Sequence, residues 1–294
     1  MNTDESSWPP PGKEEQQQGG DATRTESPAL AATPDDRAAP PEDIRTPWSW
    51  GYLATFVVFA FGSLLVLEIG FIVFGVVALR ATPAELHRLA TTSAPYVTAR
   101  QALWFATLML YLFAVVRFHH GTPFWRTIGW RRFHPQHLSP VTASLLCLLG
   151  GATLAVSVSL AARLTGTRAK LPIEELFRNR QSVLLVMALA LLAAPLVEET
   201  IFRGYIYPVI ARSFGVPLGV VLTGMLFGAL HAMQLWGAWG LVVLLVFVGM
   251  VLTYVRARTG TVLASYLLHL GYNAMLFLGT AVSTSGFRHF PPSS

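Results

Sequence analysis

From Trp48 onward, long apolar runs alternate with short polar breaks. Seven runs are long enough to cross about 30 Å of hydrocarbon. They fall at roughly 51–79, 97–117, 140–164, 181–213, 216–234, 238–256 and 261–282. In lipid, such a run satisfies its own backbone hydrogen bonds only as a helix. The pattern therefore predicts an all-α fold, a polytopic transmembrane helical bundle of about seven to eight helices. Residues 1–46 carry no such run and are rich in Pro, Glu, Asp, Ser and Gln. They bury too little apolar surface to offset ordering entropy, so a disordered acidic, proline-rich tail is expected there. No apolar signal-peptide core precedes Trp48, and the first helix is expected to act as its own targeting signal. Three regions follow: the tail at 1–46, amino-terminal membrane helices with an interfacial segment at 47–180, and a carboxy-terminal core at 181–282.

Composition agrees with a multi-pass protein of the cell membrane. Of 294 residues, 53% are hydrophobic and 13% charged, and the mean hydropathy is +0.49. Ten of the sixteen acidic residues lie in the tail, which leaves seventeen basic side chains against six acidic ones in the membrane body. Those arginines sit singly or in pairs at the ends of apolar runs, as membrane anchors do, and nucleic acid is not implied. With Arg203 set aside, the two faces carry nine basic residues each, so charge gives no orientation. Trp48, Trp50, Trp104, Trp125, Trp130, Trp236 and Trp239 lie mostly near run ends, where interfacial anchors are expected. The stretch FWRTIGWRRFHPQH (124–137) alternates aromatic and basic residues and reads as a segment lying on the bilayer surface. The single cysteine, Cys147, reads as a small hydrophobe and suggests no disulfide or metal site. His87, His119, His120, His134, His137 and His289 fall outside the runs and are expected to be solvated.

An ionisable side chain at membrane depth costs at least about 2.5–3.5 kcal/mol, so it persists where it pairs or works. Glu68, Glu198, Glu199, Arg203, His231 and His269 are such residues, with Asn273 beside the last. Glu68 has no evident partner and reads as lining a helix contact or cavity. Between the fourth and fifth runs the turn signal is Ser213-Phe214-Gly215-Val216-Pro217. Glu198 and His231 each lie about fifteen residues from it, hence at one depth, about 22 Å from the turn. Gly224 and Gly228 give the fifth helix a small face for close approach, and Phe227 can pack beside His231 at i,i+4. Glu199 and Arg203 have the favoured i,i+4 order of a helical ion pair. Glu198 points about 100° away and is left for chemistry. His269 and Asn273 share one face, although reflecting position 231 through the turns brings Asn273, rather than His269, near that depth. A Glu and a His can hold and activate a water, and a second His with an Asn can stabilise an oxyanion.

Three motifs carry a resemblance. EETIFR (198–203), FGALH (227–231) and HLGYN (269–273) resemble E-E-x-x-x-R, F-x-x-x-H and H-x-x-x-N/D, the signatures of the CPBP family. That family holds the type 2 CAAX prenyl proteases and bacteriocin-processing intramembrane proteases. The resemblance implies a helical intramembrane endopeptidase with its catalytic core in 181–282, acting on a membrane-associated and in some members prenylated protein. It implies catalytic Glu198 and His231 on the water, His269 and Asn273 as oxyanion donors, and Glu199, Arg203 and Phe227 in support. No cofactor is required by that mechanism; the alternative is Zn2+ on Glu198, His231 and His269. The expected partners are the lipid bilayer and a peptide or protein substrate. Two rival readings keep the same residues: a proton-coupled transporter with a Glu/His proton path, and a non-catalytic immunity or scaffold protein. The absence of an internal repeat argues against the first.

Overall fold

A computed structural model describes residues 42–132, 138–166, 176 and 179–287. Most of the expected tail, residues 1–41, lies outside this set, as do His134, His137 and His289. The described residues form helices α1 (Trp50–Val77), α2 (Pro83–Thr92), α3 (Ala94–Phe113), α4 (Phe124–Ile128) and α5 (Pro140–Leu164). These are followed by α6 (Arg180–Ala188), α7 (Ala194–Glu199), α8 (Tyr207–Phe214), α9 (Val216–His231), α10 (Trp239–Thr259) and α11 (Val262–Ser283). Among the described residues six helical stretches are long and apolar enough to span a membrane, and the chain is a multi-pass membrane protein. The fifth apolar run is the exception: α9 has only 16 residues and stops at His231.

The polar breaks end and start helices as their residues dictate. Gly215 (φ +85°) closes α8, and Pro217 opens α9 where no N–H is needed. Gly260 (φ +68°) closes α10 in the left-handed region. Thr82 and Glu85 form a reciprocal capping box on α2, a short helix that the apolar pattern did not reveal. The Thr82 backbone N–H, then its hydroxyl, hold the exposed Glu85 carboxyl below the usual glutamate range.

The fourth run is one 35-residue helical rod, Arg180–Phe214. It is not a regular α-helix. Wider π turns occupy Leu189–Ala193 and Thr200–Ile206, and each ends two residues before a proline, Pro195 and Pro208. An interior proline has no N–H and its ring clashes with the carbonyl four residues back. A π turn just upstream moves that carbonyl aside.

Packing accounts for the rest. α5 runs against α11, and α9 against both α8 and α10. The α9–α10 crossing is close because Gly224, Gly228 and Gly249 carry no side chain; a Cβ on Gly249 would lie 2.9 Å from the Gly224 carbonyl oxygen. The small face of α9 thus serves α10 rather than the glutamate helix.

Several expectations are corrected by this packing. Glu68 does have a partner: its carboxylate meets Arg100 of α3 at 3.0 Å. Trp48 is fully buried, stacks on Tyr205 and donates to its carbonyl at 2.9 Å, so it is a core residue and not an interfacial anchor. Residues 42–46, assigned to the tail, are docked: Ile44 is buried, and Asp43 receives two hydrogen bonds from the buried Arg256 at 3.0 and 2.9 Å. The aromatic-basic stretch does not simply lie on the surface, because Phe124 and Ile128 are buried in the bundle. His119 accepts or donates at Nε2 to the Tyr52 hydroxyl at 2.5 Å. His120 is half-buried, and burial, then the neighbouring His119, push its imidazole pKa down.

Candidate active site

The site forms where the fourth helical rod meets α9, α10 and α11. Glu199 and Arg203 are both fully buried, and their i,i+4 ion pair closes at 2.9 Å. Every nitrogen of the guanidinium is used. Nη1 donates to Glu199, Nη2 to the Gly249 carbonyl at 2.9 Å, and Nε to the Thr253 hydroxyl at 3.3 Å. Its Cζ also lies 4.7 Å from the centre of the Phe227 ring, a cation–π contact in a desolvated place.

The same Glu199 oxygen accepts from His269 Nδ1 at 2.9 Å. Since an ionised carboxylate only accepts, this bond fixes the proton on Nδ1 and turns Nε2 outward. Nε2 faces Glu198 Oε2 at 3.9 Å, a gap that a bridging water or substrate oxygen could fill. Glu198 keeps 21% of its side-chain surface while Glu199 keeps none, so the adjacent carboxylates have opposite environments.

His231 ends α9. Its Nδ1 donates to the Phe227 carbonyl at 2.8 Å, which leaves the Nε2 lone pair free. The Phe227 ring, 2% exposed, packs 4.9 Å from His231 and edge-on to His269 at 5.9 Å. One aromatic ring therefore holds both imidazoles and the arginine. Asn273 is half-buried one turn beyond His269, and its amide donates to the Ala190 carbonyl at 2.9 Å. That carbonyl lacks a backbone partner for a clear reason. In the π turn Ala194 N–H bonds Leu189, so the next carbonyl would need an N–H from Pro195, which has none.

The residues named from sequence thus converge, with a different wiring. The ion pair was expected and is present. The bond from Glu199 to His269 was not expected, nor was the depth of His269. The depth reckoning assumed uniform α-helical rise and turns at the membrane surfaces. Two π turns alter the rise of the fourth rod, and the start of α11 is held inside the bundle by Val262 N–H bonding to the Gly129 carbonyl. Sequence reasoning also missed Gly249 and Thr253, an i,i+4 small-polar pair in the apolar α10 that could have been flagged. Among the described residues no group of three His, Cys, Asp or Glu could hold a metal ion.

Residues 180–275 match the family model described as Rce1-like, type II CAAX prenyl endopeptidase Rce1-like. The matched stretch spans Glu198 through Asn273 and so contains all three motifs. The similarity is thus to a domain of the CAAX-protease type and is confined to this stretch of the chain. No curated protein and no solved structure matches the chain. In structural terms the matched stretch begins at α6 and extends into the middle of α11. Helices α1 to α5 lie outside it and pack around it.

Proposed function

We propose that the chain is an intramembrane endopeptidase of the cell membrane that cleaves a membrane-associated protein near the bilayer surface. Prenylated CAAX proteins are the substrate class to test first, because the family description names prenyl endopeptidases. In this reading Glu198 takes a proton from a water that His231 also holds through its free Nε2. The water oxygen attacks the scissile carbonyl, and the proton passes on to the leaving amine. His269 serves here as an imidazolium: Nδ1–H stays on Glu199, and Nε2–H together with the second amide N–H of Asn273 donates to the carbonyl oxygen as negative charge develops. The observation that carries the reading is the buried Arg203–Glu199–His269 chain ending 3.9 Å from the more exposed Glu198. A carboxylate and a histidine are held there by a paid-in framework of charge, as preorganised catalysis requires.

The test uses the purified full-length chain with a farnesylated CAAX peptide and an unlipidated control, each with and without chelator. Glu198→Ala and His231→Ala are expected to abolish cleavage while the protein still inserts and purifies. Parent-like cleavage by both variants would refute the assignment. Loss of parental activity with chelator, restored by zinc, would replace the water-activating Glu/His pair with a metal site.

A further inference from the structure

The contact between Glu199 and His269 joins two separate helical elements, and something must hold their spacing. Trp130 lies between them, although it is outside the Rce1-like domain. Its indole N–H donates to the Thr200 hydroxyl at 3.0 Å. Thr200 immediately follows Glu199, opens the second π turn, and donates its own proton to the Leu196 carbonyl at 2.7 Å. Indole only donates, so the direction of this short chain is fixed. The Trp130 ring also packs against Tyr266 of α11, 5.3 Å between centroids, three residues before His269.

The backbone around Trp130 is clamped to both elements. Gly129 (φ +98°) turns its carbonyl to accept from Val262 N–H at 2.9 Å. Thr261 donates to the Arg131 carbonyl at 2.8 Å. On the other side Ile128 fills the space left by Gly204, where a Cβ would meet the Ile128 carbonyl oxygen at 2.8 Å. One four-residue stretch thus touches the π turn carrying Arg203 and the first turn of α11.

We propose that Trp130 is a positioning residue for the site: it wedges the glutamate helix against α11 and so keeps His269 on Glu199. The proposal rests on the endopeptidase reading for its kinetic consequence, but its structural consequence is measurable without activity. Trp130→Phe retains a ring against Tyr266 and removes the N–H; Thr200→Val removes the acceptor. In the full-length chain each is expected to lower kcat about tenfold with KM unchanged, the size of one lost hydrogen bond in the framework. The double variant is expected to be no slower than either single one, since both remove the same bond.

The second measurement is carbethoxylation of individual histidines by diethyl pyrocarbonate, read by mass spectrometry with the exposed His87 as internal reference. Labelling of the buried His269 is expected to rise several-fold in Trp130→Phe and further in Trp130→Ala, with labelling of His231 unchanged. Parental labelling of His269 in both variants overturns the proposal. So does an equal rise at His231, or a loss of kcat that tracks a fall in Tm, because either marks general loosening. If the parent cleaves no peptide, the endopeptidase reading fails while the labelling still decides the role of Trp130.

Discussion

A carboxylate and a guanidinium without any solvent-exposed surface are tolerable only as a paired, hydrogen-bonded set. Glu199 and Arg203 meet that condition through His269, Gly249 and Thr253. Such a pair contributes specificity of arrangement more surely than net stability, but breaking it strands one charge. Arg203→Met is therefore expected to destabilise the protein by about 3–5 kcal/mol, because the buried Glu199 loses its guanidinium partner and keeps only His269. The double variant Glu199→Leu with Arg203→Met is expected to recover much of that loss and to remain without endopeptidase activity, since His269 has lost its anchor. Chemical denaturation in detergent checks the first part and the peptide assay the second. A double variant as unstable as Arg203→Met alone would show that the pair itself supplies stability. The i,i+4 spacing made the ion pair legible from sequence. The bond to His269 was not legible, because it joins residues 70 positions apart and depends on how α11 is seated.

Within single elements, the two prolines of the fourth rod have more influence than any apolar residue there. Each is preceded by a π turn, and the first leaves the Ala190 carbonyl to be satisfied by Asn273. This gives Asn273 a structural duty beside the proposed catalytic one, and it ties α11 to the glutamate helix a second time. Pro195→Ala supplies the missing N–H. The expectation is a more regular helix, a Tm at or above that of the parent, and a lower kcat as Glu198 and Glu199 rotate relative to His269. Scanning fluorimetry and the peptide assay together check this, and an undiminished kcat would dissociate the π turn from the chemistry. Proline was visible in the sequence as a helix disturbance. The form of the disturbance was not, because a kink, a break and a π turn all accommodate the missing N–H.

At the scale of the whole molecule, the stretch that matches the Rce1-like model is built into a larger bundle and braced from outside its own limits. The segment at 128–131 reaches its core, and the stretch at 42–48 is pinned across it by Asp43 on Arg256, Thr46 and Trp48 on Arg212, and Trp48 on Tyr205. Asp43→Ala removes the carboxylate from the buried Arg256. Trypsin cleavage after Arg45 in the folded protein is expected to accelerate several-fold, followed by gel and mass analysis. An unchanged rate would mean that Trp48 and the Arg212 contacts alone hold the segment. The reading of residues 42–46 as tail failed because composition reports what a segment can bury by itself. Ile44 and Asp43 are ordered by a surface made elsewhere, by Tyr207, Ala211 and Arg256.

The sequence by itself determined the membrane-spanning helical class, since length and hydropathy act locally and lipid leaves the backbone few alternatives. It also singled out the candidate residues, because charge at membrane depth is costly enough to be conspicuous. The tertiary structure decided which of the two glutamates is hydrogen-bonded to His269, how deep α11 sits, and that Trp130 reaches Thr200. Those facts depend on helix phase and on contacts between distant segments, to which π turns and docked loops contribute as much as the apolar pattern.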